Sequence, residues 1–369
     1  MKVVHVAPFS QVGGIAYVSN LISDHAPHCS GVDWVEIDST VPDRNRGNWG
    51  RRSLHMLRIC FEIQKAVRAA EVPVVLHAHT SSYAAFFEKM SFLLMGKAFG
   101  ARTVLHVHGG AFDEFYARMP EPVQIVIRLL LQVPDGLLTL SEEWARFFRR
   151  IAPDAAIRVL ENGVVLPSPD GASHTRPQRS NAVRANDSLD ILFLGRIEAE
   201  KGCWEIIDAA KKLEKSIPGK IKFHLYGEAA SPATMKSFKE EARDGADKSV
   251  RFHGLVTGDD KHRALQDADL FVLPSWAEGM PISVLEGMAY GLPVIATRVG
   301  ALPELVNTKG GILIDPKNSE QLFQAISTLY NQPDLRRKMG RVNQAKVKAR
   351  YSAENYVQGL CSIYHDVTK

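Results

Sequence analysis

The sequence predicts two α/β domains in series, each a parallel sheet with helices on both faces. Three observations predict it. The chain has 369 residues, too long for one ordinary domain and comfortable for two of about 150 to 200. Short, fully apolar runs alternate with helical stretches, as in βαβ units whose strands are covered on both faces. That rhythm stops once, at 167–188, PSPDGASHTRPQRSNAVRANDS, where Pro, Ser, Asn and Arg replace any apolar period, as in a linker.

Before the linker, apolar runs place strands at 3–8, 32–37, 74–78, 103–107, 136–140 and 157–160. A helix is expected over 14–24, and another follows the basic segment DRNRGNWGRR (43–52) to about residue 70. After the linker the strands fall at 191–195, 221–226, 250–253, 270–273, 294–296 and 311–314. The tail reads as helical from 319, breaks near Tyr351, and ends in a helix over 353–365. The expected division is therefore 1–167, a linker at 168–188, and 189–351. Two such domains leave an inter-domain cleft. Doubly wound sheets bind ligands outside the carboxyl ends of their strands, so the strand-to-helix loops should carry the chemistry.

Composition narrows the class. Hydrophobic residues at 45% and charged residues at 23% suit a globular, water-soluble chain. No run reaches the roughly 18 apolar residues of a spanning helix. The start, MKVVHVAPFSQVGG, has too short an apolar run for a signal peptide and no cleavage site after it. Cytoplasmic residence follows, with any membrane touched only from its inner side. A net charge of +4 with scattered basic residues and no recognition motif argues against nucleic acid. It suits anionic small molecules or an anionic lipid surface. Cys29, Cys60, Cys203 and Cys361 form no CxxC pair and read as reduced thiols.

Three loops hold candidate chemistry. In the first, Gly13 and Gly14 follow strand one and open a helix, so backbone amides can approach an anion. A tight turn explains two glycines equally well, and the absence of GxGxxG speaks against a dinucleotide enzyme. The second is GRIEAEKG at 195–202. Arg196 and Lys201 bring two cations to a helix N-terminus, where they suit a diphosphate whose charge grows as a bond to it breaks. Two solvated surface cations is the plainer reading. The third and strongest is PSWAEGMPISVLEGMAYGLPVIAT at 274–297. Glu278 lies in a loop and can accept sugar hydroxyls. Glu286 lies in the helix that Pro281 introduces and can grip a ribose diol. The backbone of Gly279, Met280, Pro281, Ile282 and Ser283 can face phosphate.

Together these segments resemble the family-4 group of GT-B glycosyltransferases. The matching pieces are GG at 13–14, HVHGG at 106–110, ENGV at 161–164, GR at 195–196, KG at 201–202, DADLFVLPS at 267–275, and the Glu-x7-Glu segment with GLPVIAT. They span nearly the whole chain in the family's order. The resemblance implies the GT-B fold, with two Rossmann-like domains. It implies a retaining, metal-independent hexosyltransferase that uses a UDP- or GDP-sugar, with no cofactor. It gives Arg196 and Lys201 the diphosphate, Glu278 the donor sugar, Glu286 the ribose, Gly14 the phosphate or acceptor, and His108 the reacting sugar. It implies a glycan or lipid-linked acceptor in cell-surface polysaccharide assembly, and a last helix (352–369) packed back on the first domain. One departure stands out: Gly227 is followed by Glu228 and Ala229, where the family often has GxG.

Other readings remain open. A silent sugar-nucleotide or glycan-binding protein would neither hydrolyse nor transfer. A sugar-nucleotide epimerase would need no acceptor. His77 with His79, and His106 with His108, form two HxH pairs whose alternate residues share a strand face. A zinc site is one reading; packing and orientation of His108 is the preferred one, and no metal is expected. Asp267-Ala268-Asp269 reads as helix end and strand entry rather than a metal motif. Arg44, Arg46, Arg51 and Arg52 with Trp49, and the apolar 112–133 segment with Arg118 and Arg128, read as a solvated loop and a core helix, or as a membrane-facing surface.

Overall fold

The computed structural model describes residues 1–25, 29, 31–41, 49–167 and 188–369, without the side chain of Trp49. The linker at 168–187 and Arg44 and Arg46 lie outside them. The chain divides into two compact units, Met1–Gly163 with Ala353–Lys369, and Val164–Ser352.

The first unit runs β1 (Lys2–Ala7), α1 (Gly14–His25), β2 (Asp33–Asp38), α2 (Trp49–Arg68), β3 (Val74–Thr80), α3 (Ala84–Ala98), β4 (Arg102–Val107), α4 (Phe112–Arg118), α5 (Glu121–Leu131), β5 (Gly136–Thr139), α6 (Glu142–Ile151) and β6 (Ile157–Val159). The second runs β7 (Leu189–Leu194), α7 (Cys203–Ser216), β8 (Ile221–Tyr226), α8 (Pro232–Arg243), β9 (Val250–Gly254), α9 (Gly258–Asp267), β10 (Leu270–Leu273), α10 (Ile282–Ala289), β11 (Val294–Thr297), α11 (Leu302–Leu305), β12 (Gly311–Ile314), α12 (Ser319–Asn331) and α13 (Pro333–Arg350). The closing helix α14 (Ala353–Thr368) belongs to the first unit.

Each unit holds a six-stranded sheet, ordered β2-β1-β3-β4-β5-β6 and β12-β11-β10-β7-β8-β9. All described pairings are parallel. Strand order reverses beside β1 and β3 in the first sheet, and beside β7 and β10 in the second. Crevices open at such switch points because the connections leave in opposite directions.

Two helical stretches break where the sequence suggested continuity. The apolar segment 112–133 is two helices, α4 and α5, separated at Met119 and Pro120. The tail divides again at Gln332, and Pro333 starts α13. Proline lacks an N–H and fixes φ, so it starts a helix more readily than it continues one. The Asp267-Ala268-Asp269 triplet ends α9 and enters β10, and the Asp269 carboxylate accepts the Asp190 amide at 3.0 Å.

One cysteine reading is corrected. Cys29 and Cys361 are paired as a disulfide, with Cα atoms 6.2 Å apart, within the span a disulfide bridges. A separation of 332 residues hides the pair from any spacing rule. The thiol argument for a reducing compartment falls with it. Cys60 and Cys203 are free.

Candidate active site

Arg196 and Lys201 follow β7, and Glu278 follows β10, so three of the expected residues leave neighbouring strands at a switch point. Lys201 closes a short 3-10 turn, Ala199–Lys201. Its Nζ donates to Glu278 Oε1 at 2.7 Å, and the Ser275 hydroxyl donates to the same oxygen at 2.7 Å. Glu278 is buried, and both donors stabilise its charge there.

Backbone contacts stitch the two loops together. The Trp276 amide donates to Glu200 O at 2.8 Å, and the Trp276 indole to Glu205 Oε1 at 2.9 Å. Gly202 has φ +76° and passes so near that a Cβ there would lie 2.2 Å from Pro274 O. A Cβ on Gly300 would lie 1.9 Å from Glu278 O. Thr297 donates to Ser275 O at 2.6 Å, and the Ala301 amide to Gly279 O at 2.9 Å. Such a scaffold holds Glu278 and Lys201 before any ligand arrives.

The other two residues have different partners. Arg196 forms an ion pair with Glu198 at 2.8 Å and is largely exposed. Glu286, on α10, accepts from Lys261 of α9 at 2.6 Å. The structure thus joins Lys201 to Glu278 directly and leaves Arg196 and Glu286 on separate acid–base pairs. Pro281 caps α10, which starts at Ile282; Gly279, Met280 and Ile282 are buried, while Pro281 and Ser283 are half-buried. Gly227 has φ +151°, and a Cβ there would meet Gly195 O at 1.7 Å, so close loop packing demands this glycine. A cavity of about 600 Å³ lined by Asp190, His224, Tyr226, His253, Asp260 and Arg263 lies elsewhere on this unit and includes none of the four.

In the first unit, Gly13 has φ +152° and Gly14 opens α1. The larger finding is a histidine-lined sheet face. His5, His77, His79 and His106 are 1% exposed or less, and His108 is half-buried at the end of β4. Register sets His5 beside His77 and His79 beside His106. Alternation sends Val4, Val6, Leu76, Ala78, Leu105 and Val107 to the opposite face, into an aliphatic core.

His5 Nε2 meets His79 Nε2 at 2.8 Å, and His79 Nδ1 meets His108 Nε2 at 2.8 Å. Neutral imidazoles can make this chain only if both N–H bonds point the same way. His77 Nδ1 meets the Tyr364 hydroxyl of α14 at 2.7 Å. Burial drives His5 and His108 down to about 3, and drives His77, His79 and His106 well below the ordinary histidine range. All five rings are therefore neutral at pH 7. Among the described residues His106 has no hydrogen-bond partner on either ring nitrogen. One of them must carry a proton, so no tautomer satisfies it; an unmade buried bond of this kind costs about 1 to 3 kcal/mol.

Sequence reasoning missed Ser275, Lys261, the Trp276–Glu205 bond and His5. Ser275 stands three residues before Glu278, close enough to have been included. Lys261 and Glu205 lie in helices without a motif. His5 stands alone in an apolar strand, with no second histidine two residues away.

Residues 188–332 match the family described as glycosyl transferases group 1, and residues 25–163 the glycosyl transferase 4-like domain. TuaC of Bacillus subtilis, described as a teichuronic acid biosynthesis glycosyltransferase, is 30% identical over 216 residues, 57% of this chain and 51% of its own. Alpha-D-kanosaminyltransferase of Streptomyces kanamyceticus is 25% identical over 335 residues, 87% of this chain and 83% of its own. The chain spans about half the length of relatives such as TuaC and the glycosyltransferase EpsD of the same Bacillus. Sucrose-phosphate synthase from Thermosynechococcus elongatus has a similar fold, with a TM-score of 0.78 at 17% identity over 99% of this chain and 98% of its own. Anabaena HepE in complex with UDP and glucose gives 0.75 at 18%, over 99% and 100%.

Proposed function

Since the chain belongs to the group 1 glycosyltransferases and has the GT-B fold, we propose that it transfers a hexose from a UDP- or GDP-sugar, with retention, to a glycan or lipid-linked acceptor in cell-surface polysaccharide assembly. The Lys201–Glu278 pair at the β7/β10 switch point carries this reading. Lys201 and Arg196 offset the charge growing on the departing diphosphate, with no divalent ion bridging the phosphates. Glu278 accepts from donor-sugar hydroxyls, and Glu286 from the ribose. The Gly279–Ser283 backbone and the Gly13–Gly14 turn meet phosphate. His108, whose Nε2 is engaged by His79, offers Nδ1 to a sugar hydroxyl. Retention follows from same-face attack, the acceptor proton passing to a donor phosphate oxygen. The UDP in the HepE complex supports the donor, and the teichuronic acid biosynthesis named for TuaC supports the setting.

Among the described residues no helix is long and apolar enough to cross a membrane. The proposal places the acceptor at the cytoplasmic face of a membrane, met by an exposed stripe on α2. Leu54, Leu57 and Phe61 are 64–68% exposed at helical spacing, flanked by Arg51 and Arg58. On α5, Ile125, Val126 and Leu129 are also exposed, beside Arg128. Apolar residues bordered by cations suit an anionic bilayer surface.

Thermal-shift measurements with UDP, GDP, ADP and their sugars test the donor, followed by donor hydrolysis without acceptor. Stabilisation by one nucleotide class together with slow release of free sugar is expected. No stabilisation by any of them would overturn the reading.

A further inference from the structure

We propose that the first unit binds one divalent transition ion, zinc by preference, through His79, His106 and His108. Their ligand nitrogens lie within 4.8 Å of one another. The three rings pack at centroid separations of 4.1–5.1 Å, and rotating them would bring the set onto one ion with N–metal bonds of about 2.0–2.1 Å. Imidazole nitrogen is a donor that zinc, copper and nickel share, and three of them leave a tetrahedral ion one open position.

Several observations point to an ion rather than to packing. The strands that bury aliphatic side chains on one face bury imidazoles on the other, at the edge of the β1/β3 switch point. His106 is fully buried with both ring nitrogens unpartnered among the described residues. A metal bond to one would satisfy the nitrogen that cannot be protonated, and would fix the proton on the other. His79 Nδ1 and His108 Nε2 already face each other at 2.8 Å. The remaining neighbours supply an outer shell: His79 Nε2 meets His5 at 2.8 Å, and Tyr364 meets His77 at 2.7 Å. Outer-shell bonds of this type fix ring orientation and tautomer in metal sites.

Binding through Nε2 of His108 would leave its Nδ1 an obligatory N–H donor. The ion would then orient a hydrogen-bond donor at the end of β4. It stands apart from the diphosphate-holding role of Lys201 and Arg196.

The test uses tag-free full-length protein, loaded with zinc, freed of excess by gel filtration and analysed for metal. About one zinc per chain is expected. Replacement by cobalt should give the visible absorption of a tetrahedral imidazole site. His79→Gln and His106→Gln should lower zinc content at least tenfold, while His5→Gln and His77→Gln should retain it. Background zinc in the wild type would overturn the proposal, as would equal content in His106→Gln. Loss in His5→Gln with retention in His106→Gln would also overturn it, placing the ion on the alternative set of His5, His77 and His79. Circular dichroism and nucleotide-induced thermal shift show whether each variant is folded and whether its donor site survives. A failed donor assignment is thereby distinguishable from a failed metal assignment.

Discussion

Lys201 and Glu278 share a 2.7 Å hydrogen bond although 77 residues separate them. Glu278 is buried and Lys201 is partly so. Each therefore supports the other before a donor binds, and stability can be separated from turnover. Lys201→Ala leaves a buried carboxylate with Ser275 as its remaining described side-chain donor, a change costing about 3 kcal/mol of stability. Lys201→Met with Glu278→Gln removes both charges and should recover most of the melting temperature without activity. Equal melting temperatures for Lys201→Ala and wild type would contradict the pairing.

Turnover should fall roughly a hundredfold or more in Lys201→Ala and in Arg196→Ala, equivalent to about 3 kcal/mol of lost transition-state stabilisation. Arg196 is largely exposed in its pair with the half-buried Glu198, so its replacement should hardly alter melting. Omitting magnesium and manganese should leave the rate unchanged if Lys201 and Arg196 hold the diphosphate as proposed. Unchanged turnover in both alanine variants would remove the clamp from the mechanism.

How much of this was visible in the sequence depends on the range of the contact. All twelve described strands were legible: those covered on both faces are largely apolar, and edge strands such as β2 (DWVEID) and β9 (VRFHG) keep enough apolar residues between turn signals to be read. The breaks at Pro120 and Pro333 were not assigned, although proline marks such boundaries, because the flanking apolar residues suggested continuous helices. Glu278 and Lys201 were legible as residue types within motifs, but their mutual bond was not. Arg196 turning to Glu198 and Glu286 to Lys261 depend on rotamers that no spacing specifies. Two HxH pairs were visible. Their union with His5 required the β1–β3 register, and the Cys29–Cys361 pair required the tertiary fold.

The Glu278 loop should tolerate no side chain at Gly300. An alanine Cβ would stand 1.9 Å from Glu278 O, at a φ of +51°. Both the clash and the left-handed conformation oppose it. Gly300→Ala should keep its far-ultraviolet circular dichroism while losing nucleotide-induced thermal stabilisation. Wild-type affinity for the nucleotide would show that this loop does not shape the donor site.

The buried imidazoles make the first unit sensitive to acid. His5 titrates near 3 in the folded chain because burial disfavours its charged form, with the nearby His108 adding to the effect, and near 6.5 when unfolded. Between those values the unfolded chain binds a proton that the folded chain does not. Stability is therefore complete above about pH 6.5 and lost as pH falls toward 3, by about 1.4 kcal/mol per unit for one such residue. Chelated protein should melt lower at pH 5 than at pH 7, and His5→Gln should flatten that slope. A melting temperature independent of pH over this range would mean the ring is not held neutral.

The α2 stripe gives the membrane proposal a quantitative form. Leu54, Leu57 and Phe61 recur at i, i+3 and i+7, so they lie along one helix face, and all three are well exposed. Moving an apolar side chain of this size out of water contributes about 1.5 to 3 kcal/mol when burial is complete, and entry into a headgroup region realises only part of it. Replacing all three with serine should weaken co-sedimentation with anionic vesicles at least tenfold. Neutral vesicles should bind the wild type less, because Arg51 and Arg58 add attraction only to anionic headgroups, and raised salt should narrow that difference. Turnover on a short soluble acceptor should stay at the wild-type level in the serine variant, since the stripe lies on a helix with no donor residue. Equal vesicle binding by the variant and the wild type would assign the stripe another partner.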